Sequence, residues 1–401
     1  MIFLDAAATT PVRREVIEAM FPFLTNQFGN PSSHHELGEL AATALEQARA
    51  QCAAVLGAHA EELVFTAGGT ESDNLALKGI ALARRAADPT LNRILISAVE
   101  HPAIVESASY LRRVHGFVVD VVPVDASGLV DQGAFAALLE SSRPESSTAD
   151  ESQASSGGVA VASIMYANNE VGTVQDLPAL ARLARAAGVP LHSDAVQAAG
   201  WLSLDVRELG VDALSISGHK LGAPKGVGLL YVRSGIHYEP LIHGGGQERG
   251  ARSGTENVAF SVALATALGL QEAGRGAAVG RVTRLREDFI ERILREIPTA
   301  LLTGHRSRRL PNVASFCFPG TSGESVLLEL ERRDIVCSSG SACAAGSDEP
   351  SAVLSALGME RAVAQTALRF SFAHDVTGEQ LRAAGDELIA AVDRMQRLGG
   401  K

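Results

Sequence analysis

The sequence predicts an α/β protein: a large unit built on a mainly parallel sheet flanked by helices, followed by a smaller α/β C-terminal unit. Three observations carry this. Short β-rich apolar runs alternate with stretches of helical spacing through the middle of the chain. Several of those runs end in turns that hold glycine, serine, histidine, asparagine or aspartate. The chain has 401 residues with 46% hydrophobic content, more core than one small domain needs.

The elements follow in chain order. Glu62–Ala67 (ELVFTA) reads as a strand, Gly68–Gly69 as a turn, and Glu71 onward as a helix. Arg93–Ala98 is a second strand, leading to a helix from about Pro102 to His115, and Phe117–Val124 is a third strand. Val159–Tyr166 is a continuous apolar run, the pattern of a strand buried on both faces. Leu177–Ala187 has helical spacing, and Val189–Ser193 and Val227–Val232 are strand-like. Strand–helix alternation of this kind implies parallel pairing with helices on both faces. Glu140–Gly158 (ESSRPESSTADESQASSGG) has almost nothing to bury and reads as an exposed, mobile insertion. After about residue 260 the texture changes. A long helical stretch runs from Ser261 to about Ile297, with short strands near Ala314–Phe318 and Leu368–Phe372 and helices at Glu324–Arg332 and Thr377–Leu398. The expected division is residues 17–260 as a large cofactor-binding domain, and residues 1–16 with 261–401 as a small one.

The net charge of −11 opposes a phosphate backbone, so direct binding to nucleic acid is not expected. The four cysteines, Cys52, Cys317, Cys337 and Cys343, form no CxxC pair, and no metal site is expected. So few cysteines suit a reducing compartment. With no signal-peptide pattern and no membrane-length apolar run, a cytoplasmic location is expected.

Five strand-end motifs suggest a cofactor that carries a phosphate and forms a Schiff base. Ser215–Lys220 (SISGHK) places Lys220 after a short strand; a lysine desolvated there becomes a nucleophilic amine, while Ser217 and His219 offer donors for a phosphate. A surface lysine after a turn explains the same residues. Leu191–Gln197 (LHSDAVQ) places Asp194 and Gln197 at another strand end. A carboxylate there keeps a pyridine nitrogen protonated, although Asp194 also reads as a helix N-cap. In Gly68–Asn74 (GGTESDN), Gly69 and Thr70 open a helix whose free N–H groups suit phosphate, without the ending of a Walker loop. His101, between Glu100 and Pro102, supplies a ring for stacking and a group that titrates near neutrality. Asn168–Asn169–Glu170 supplies amides for a carboxylate or a cofactor oxygen, and is also an ordinary turn signal.

Two further residues stand out. Arg369 is a cation within the apolar run LRFSF, suited to a carboxylate or to an internal ion pair. Cys343 lies among small residues (SSGSACAAG), where the thiol is expected on a mobile loop. Cys317 and Cys337 lie in strand-like contexts and Cys52 in a helical one, as structural cysteines do.

Together these stretches resemble the NifS/IscS-type cysteine desulfurases, within the class V aminotransferase group of fold-type I pyridoxal-phosphate enzymes. The resemblance rests on LDAAATTP, FGNPSSHH, FTAGGTESDNLALKG, EHPAI, NNEVGTVQD, HSDAVQ, SGHKLGAPKGVGLLYV, HGGGQERGARSGTEN, SSGSACAAGSDEPSAVLSALG and LRFSF, nearly end to end. It implies a pyridoxal 5'-phosphate enzyme that converts L-cysteine to L-alanine and holds the sulfur on Cys343 as a persulfide. Lys220 is then the Schiff-base lysine, Asp194 the partner of the ring nitrogen, Gln197 that of the ring hydroxyl oxygen, and His101 the stacking ring. Gly69, Thr70, Ser217 and His219 cradle the phosphate. Arg369, with Asn169, clamps the substrate carboxylate. The resemblance also implies a homodimer in which Thr255 reaches the partner subunit's phosphate. A sulfur acceptor follows, such as an iron–sulfur scaffold or a tRNA-thiolation protein. Two departures are visible: the insertion at Glu140–Gly158, and Ala373–His374 after LRFSF where relatives often carry Gly-Arg. The alternatives are a selenocysteine or cysteine sulfinate lyase, an aminotransferase on the same fold, or a catalytically silent scaffold.

Overall fold

The computed structural model describes residues 1–140, 157–339 and 350–399. The expected insertion at Glu140–Gly158 therefore lies almost wholly outside the described residues, and Cys343 lies outside them too.

The large sheet is built from β2 (Leu63–Thr66), β3 (Leu91–Ser97), β4 (Val118–Val122), β5 (Gly158–Ser163), β6 (Leu191–Asp194), β7 (Ala213–Ser217) and β8 (Gly228–Val232). Its order is β2-β8-β7-β6-β5-β3-β4. Strands β7, β6, β5, β3 and β4 run parallel, and β8 runs antiparallel to both its neighbours. The connection from β7 to β8 accounts for the one reversal: its ten residues carry the lysine turn and no crossover helix, which permits antiparallel pairing, whereas parallel neighbours need a crossover. Strand β2, antiparallel to β8, shares the direction of β7, so its carboxyl end lies on the same edge as theirs.

Helices cover the sheet. They include α1 (Arg14–Thr25), α2 (Glu36–Leu56), α3 (Gly69–Ala87), α4 (Pro102–His115), α5 (Gln132–Glu140), α6 (Leu177–Ala186) and α7 (Val206–Leu209). Apolar stripes on α3 and α4 bury Leu75, Leu77, Ile80, Ile104 and Leu111 against Ile94, Ile96 and Val161 of the sheet. Helix α4 starts where His101 caps it and Pro102 fills the first turn; it ends at Gly116, whose φ of 70° needs a glycine.

The long α8 (Val258–Glu296) leads into a smaller unit with α9 (Gly323–Glu331), α10 (Ala352–Ala356), α11 (Arg361–Ala364) and α12 (Gly378–Gly399). Its four-stranded sheet has β9 (Leu301–Leu302), β10 (Val313–Cys317), β12 (Ser338–Ser339) and β13 (Ala367–Ser371), in the order β12-β13-β10-β9. Phe289, Phe316, Phe370 and Phe372 pack edge to face in its core. The N-terminal β1 (Ile2–Phe3) pairs in parallel with β11 (Ile335–Val336), so the start of the chain is tied to its last third.

Candidate active site

The carboxyl ends of β2, β3, β6 and β7 open on one cleft of about 830 Å³. Gly69, Thr70, His101, Asp194, Ser217, His219 and Lys220 all line it, so seven of the expected residues converge. Asp73, Asn74 and Lys225 line it as well. The fit to a phosphate-bearing cofactor rests on close approach. A Cβ at Gly69 would stand 2.7 Å from Val196 Cγ2 and 3.3 Å from Ser217 Cβ, and one at Gly228 would press within 2.5 Å of the Gly68 backbone. Only glycines let the first turn of α3 come this near, and that turn presents free N–H groups to the cleft.

Lys220 sits in a short 3₁₀ turn, Gly218–Lys220, directly after β7. Its Nζ donates to the carbonyls of Ala7 and Ala8, the latter at 2.7 Å. Thr10 bonds the His219 carbonyl through both its N–H and its hydroxyl, and His219 Nδ1 lies 3.1 Å from Thr9 Oγ1. The segment from Ala7 to Thr10 therefore lies over the lysine turn. Burial, with Lys220 and Lys225 nearby, pushes His219 down to about 4, so it is a neutral donor or acceptor there.

Asp194 is buried, and its Oδ1 accepts from the Val196 N–H at 2.8 Å. Burial raises its pKa, opposed by His101, that N–H and Lys220. His101 caps α4 through Nδ1, which accepts from the Ala103 N–H at 3.1 Å; burial lowers its pKa. Sequence reasoning missed the acids behind this pair. Ligand atoms of Asp73, His101 and Asp194 lie within 4.8 Å of one another. Burial and Asp194 push Asp73 well above its ordinary value. Burial pushes Glu100 up to about 8, although it accepts from Ser97 Oγ at 2.6 Å and the Met165 N–H at 2.7 Å. His192, pushed down to about 3 by burial, sits between Ser163 and Ser215 at 2.9 Å from each. Burial thus shifts Asp73 and Glu100 toward their neutral forms, and of the three buried carboxyls Asp194 is the one whose rise is opposed by both His101 and Lys220. The available signal was a polar residue at the end of an apolar strand, as at His192; only the fold reveals the shifts.

Four expected residues, Asn169, Gln197, Thr255 and Arg369, do not line this cleft. Gln197 faces the neighbouring cavity and donates Nε2 to the Ala7 carbonyl at 3.0 Å. Thr255 is exposed, just before α8. Arg369 is buried on β13 and pairs with Asp5 at 2.8 Å, so the ion-pair reading of the sequence holds within the chain. Its other terminal nitrogen donates to the Asn169 backbone carbonyl at 2.9 Å, and its Nε has no partner among the described residues. The contact with Asn169 is thus through the main chain. It is Asn168 that is buried, closing the turn by accepting from the N–H groups of Glu170 and Val171.

Burial pushes the thiols of Cys52, Cys317 and Cys337 up to about 12, about 11 and about 12. None of the three supplies a thiolate at neutral pH. Cys343 lies outside the described residues, but both ends of its segment are placed. Ser338 pairs with Arg369 in the sheet, and Ser351 donates its hydroxyl to Glu170, the neighbour of Asn169.

Comparisons with known proteins agree with this geometry. Residues 2–383 match the family described as aminotransferase class-V. The chain is 41% identical over 397 residues to the cysteine desulfurase IscS of Dictyoglomus turgidum, covering 99% of this chain and 96% of that one. It is 42% identical to the IscS-like cysteine desulfurase of Mycobacterium tuberculosis, covering 99% and 98%. Among solved structures, a NifS-like protein superposes with a TM-score of 0.86 at 33% identity, covering 98% of this chain and 99% of that one. One described as SspA in complex with cysteine superposes with a TM-score of 0.77 at 34% identity, covering 93% and 99%.

Proposed function

This chain belongs to the class-V aminotransferase family, and from that premise we propose that it is a pyridoxal-phosphate-dependent cysteine desulfurase. It converts L-cysteine to L-alanine and passes the sulfur to Cys343. The observation that carries the reading is the convergence of Lys220, Asp194, His101 and the Gly69–Thr70 turn on one cleft.

Lys220 would hold the cofactor covalently, Asp194 would pair with its ring nitrogen, His101 would stack on the ring, and Gly69, Thr70, Ser217 and His219 would take the phosphate. When bound, pyridoxal phosphate supplies a sink for the electrons left on the substrate's α-carbon. Arg369, with the Asn169 turn, binds the cysteine carboxylate and so fixes which bond faces Lys220 Nζ. The Lys220 amine would take the α-proton at Nζ. The Cys343 thiolate attacks the substrate sulfur: an S–S bond forms and the Cβ–S bond breaks. The electron pair of the broken bond stays on Cβ, which takes a proton, and the proton held at Lys220 Nζ returns to Cα to give alanine. His101 is placed to move a proton near the substrate thiol.

The reading extends to a cytoplasmic homodimer. No helix among the described residues is long and apolar enough to cross a membrane. Exposed Ile17, Phe21, Leu24, Phe28 and Leu40 form apolar surface near the N-terminus, and Thr255 stands exposed for a partner subunit's phosphate. Residues 17–260 act as the cofactor-binding domain, and residues 1–16 with 261–401 as the domain that brings Cys343 to it. The persulfide then goes to an acceptor such as an iron–sulfur scaffold or a tRNA-thiolation protein.

The test is alanine released from L-cysteine in the presence of a reductant, comparing the wild type with Cys343→Ala. The reading expects alanine from the wild type and almost none from the variant. Equal release from both proteins overturns the role of Cys343. A yellow protein that releases none from L-cysteine overturns the substrate.

A further inference from the structure

A second cavity, of about 320 Å³, lies behind the lysine turn. Lys220 and Val196 line both this cavity and the cofactor cleft, and Ala6, Pro11, Trp201 and Phe372 supply further apolar surface. Its volume falls at the lower end of the range for small-molecule sites, roughly 300–1,000 Å³.

Two of its lining side chains carry unmet hydrogen-bonding capacity. Gln271 Oε1 and Asn312 Oδ1 are buried without a partner, although both amide nitrogens are used: Gln271 Nε2 donates to the Leu221 carbonyl at 3.0 Å, and Asn312 Nδ2 to that of Phe372 at 3.4 Å. A buried acceptor left unmade is costly, so each calls for a donor from whatever fills the cavity. Both residues are more than nine-tenths buried. The opposite wall holds the departure noted in the sequence. His374, where relatives often carry an arginine, lies against Trp201 with ring centroids 4.1 Å apart. Burial and Arg13 push His374 down to about 4, so at neutral pH it is an uncharged aromatic wall.

The charges narrow the class of occupant. Arg13 and Lys220 line the cavity and oppose a cation, while Asp375 and the two orphaned oxygens oppose an anion. A neutral group with donors for Gln271 and Asn312 and an acceptor for Arg13 fits both demands. A flat apolar body fits the Trp201, His374 and Phe372 walls.

We propose that this cavity is a second binding site for a small planar molecule bearing a primary carboxamide. The site is separate from the cofactor cleft but shares the Lys220 wall with it.

Trp201 is the chain's single tryptophan, so its emission reports on this cavity alone. Benzamide is a suitable probe because it has no amine that condenses with the cofactor. The experiment titrates the cofactor-loaded protein with benzamide and follows Trp201 emission, beside Asn312→Leu and Ala373→Leu. The first variant removes an orphaned acceptor, and the second fills the cavity while keeping both. The expected result is a saturable change in the wild type with a Kd of about 1 mM, as a ligand this small allows, weakened about tenfold or more in both variants. An unresponsive wild type, or an equal response in all three proteins, overturns the proposal and leaves a cavity filled with water. The readout needs no turnover, so it stands or falls apart from the desulfurase reading.

Discussion

Two arginines head the largest fully buried side chains of the molecule, and they are equipped in opposite ways. Arg49, on α2, uses its whole guanidinium. It bonds Glu248 through two nitrogens at 2.7 and 2.9 Å, the Leu63 carbonyl at 3.0 Å and Glu46 at 3.1 Å, and lies 5.0 Å from the centre of the Phe65 ring. Glu248 also accepts from the Phe65 N–H, and it and Arg249 hold φ values of 48° and 57°. The pair thus pins a strained turn that leads toward Thr255. Arg369 has one carboxylate contact, one carbonyl contact and an unpartnered Nε. A saturated buried cation is a structural rivet; an unsaturated one keeps capacity for a ligand. Burial alone does not distinguish the two, but the count of unmade bonds does.

The most severe way to break this contrast is Arg49→Met. It strands the Glu248 carboxylate, whose side chain is 3% exposed. Stability should fall by about 3–5 kcal/mol, read from a denaturant midpoint. An unchanged midpoint would mean that the rivet carries no load. Arg369→Gln should act on function instead, lowering kcat/KM for L-cysteine about 100-fold, as expected for a lost charge-assisted carboxylate contact. Its stability cost should be the smaller of the two, because the Asp5 side chain it strands is 17% exposed and can be hydrated. A variant that binds L-cysteine normally but unfolds easily would make Arg369 a second rivet.

The smallest effect is a pH slope at Glu170. Burial pushes this carboxyl up to about 7, with Ser351 and Arg369 pulling the other way. A carboxyl raised in the folded state binds more protons there than in the unfolded chain. Stability is therefore lost as pH climbs from about 4.5 to about 7, and no further above that. Glu170→Gln should remove that loss and gain about 1–3 kcal/mol over the wild type at pH 8. Denaturation curves at pH 5 and 8 decide it, and a variant whose slope matches the wild type would refute it. In Arg369→Gln the same titration should move higher.

Legibility in the sequence followed the range of the interaction. The strand at 158–163 is buried almost throughout, so an apolar run announces it, and the helix at 102–115 carries its own cap and stop signals. The cleft was readable because each of its motifs is local to one strand end. Other features were silent. Helix α2 packs on α8 through small residues such as Ala41, Ala44 and Ala48, which leave a weak apolar stripe. The Asp5–Arg369 pair joins residues 364 apart, and Arg49–Glu248 joins residues 199 apart, so no window of sequence contains either. The upward shifts of Asp73 and Glu100 come from burial with Asp194 nearby, a property of the assembled site.

The pairing of residues 2–3 with 335–336 sets a timetable for synthesis. The segment that lies over Lys220 is among the first parts of the chain made, yet its anchors are among the last. Asp5 must wait for Arg369 and Ser371 before it is held. At roughly 5–20 residues per second, that wait is on the order of 20–70 seconds. Of that wait, the 149 residues between Lys220 and Arg369 take about 7–30 seconds, during which the nascent chain can assemble its lysine turn while the partner of Asp5 is still unmade. The emerging polypeptide thus completes the strand ends around Lys220 before it acquires the Asp5–Arg369 pair.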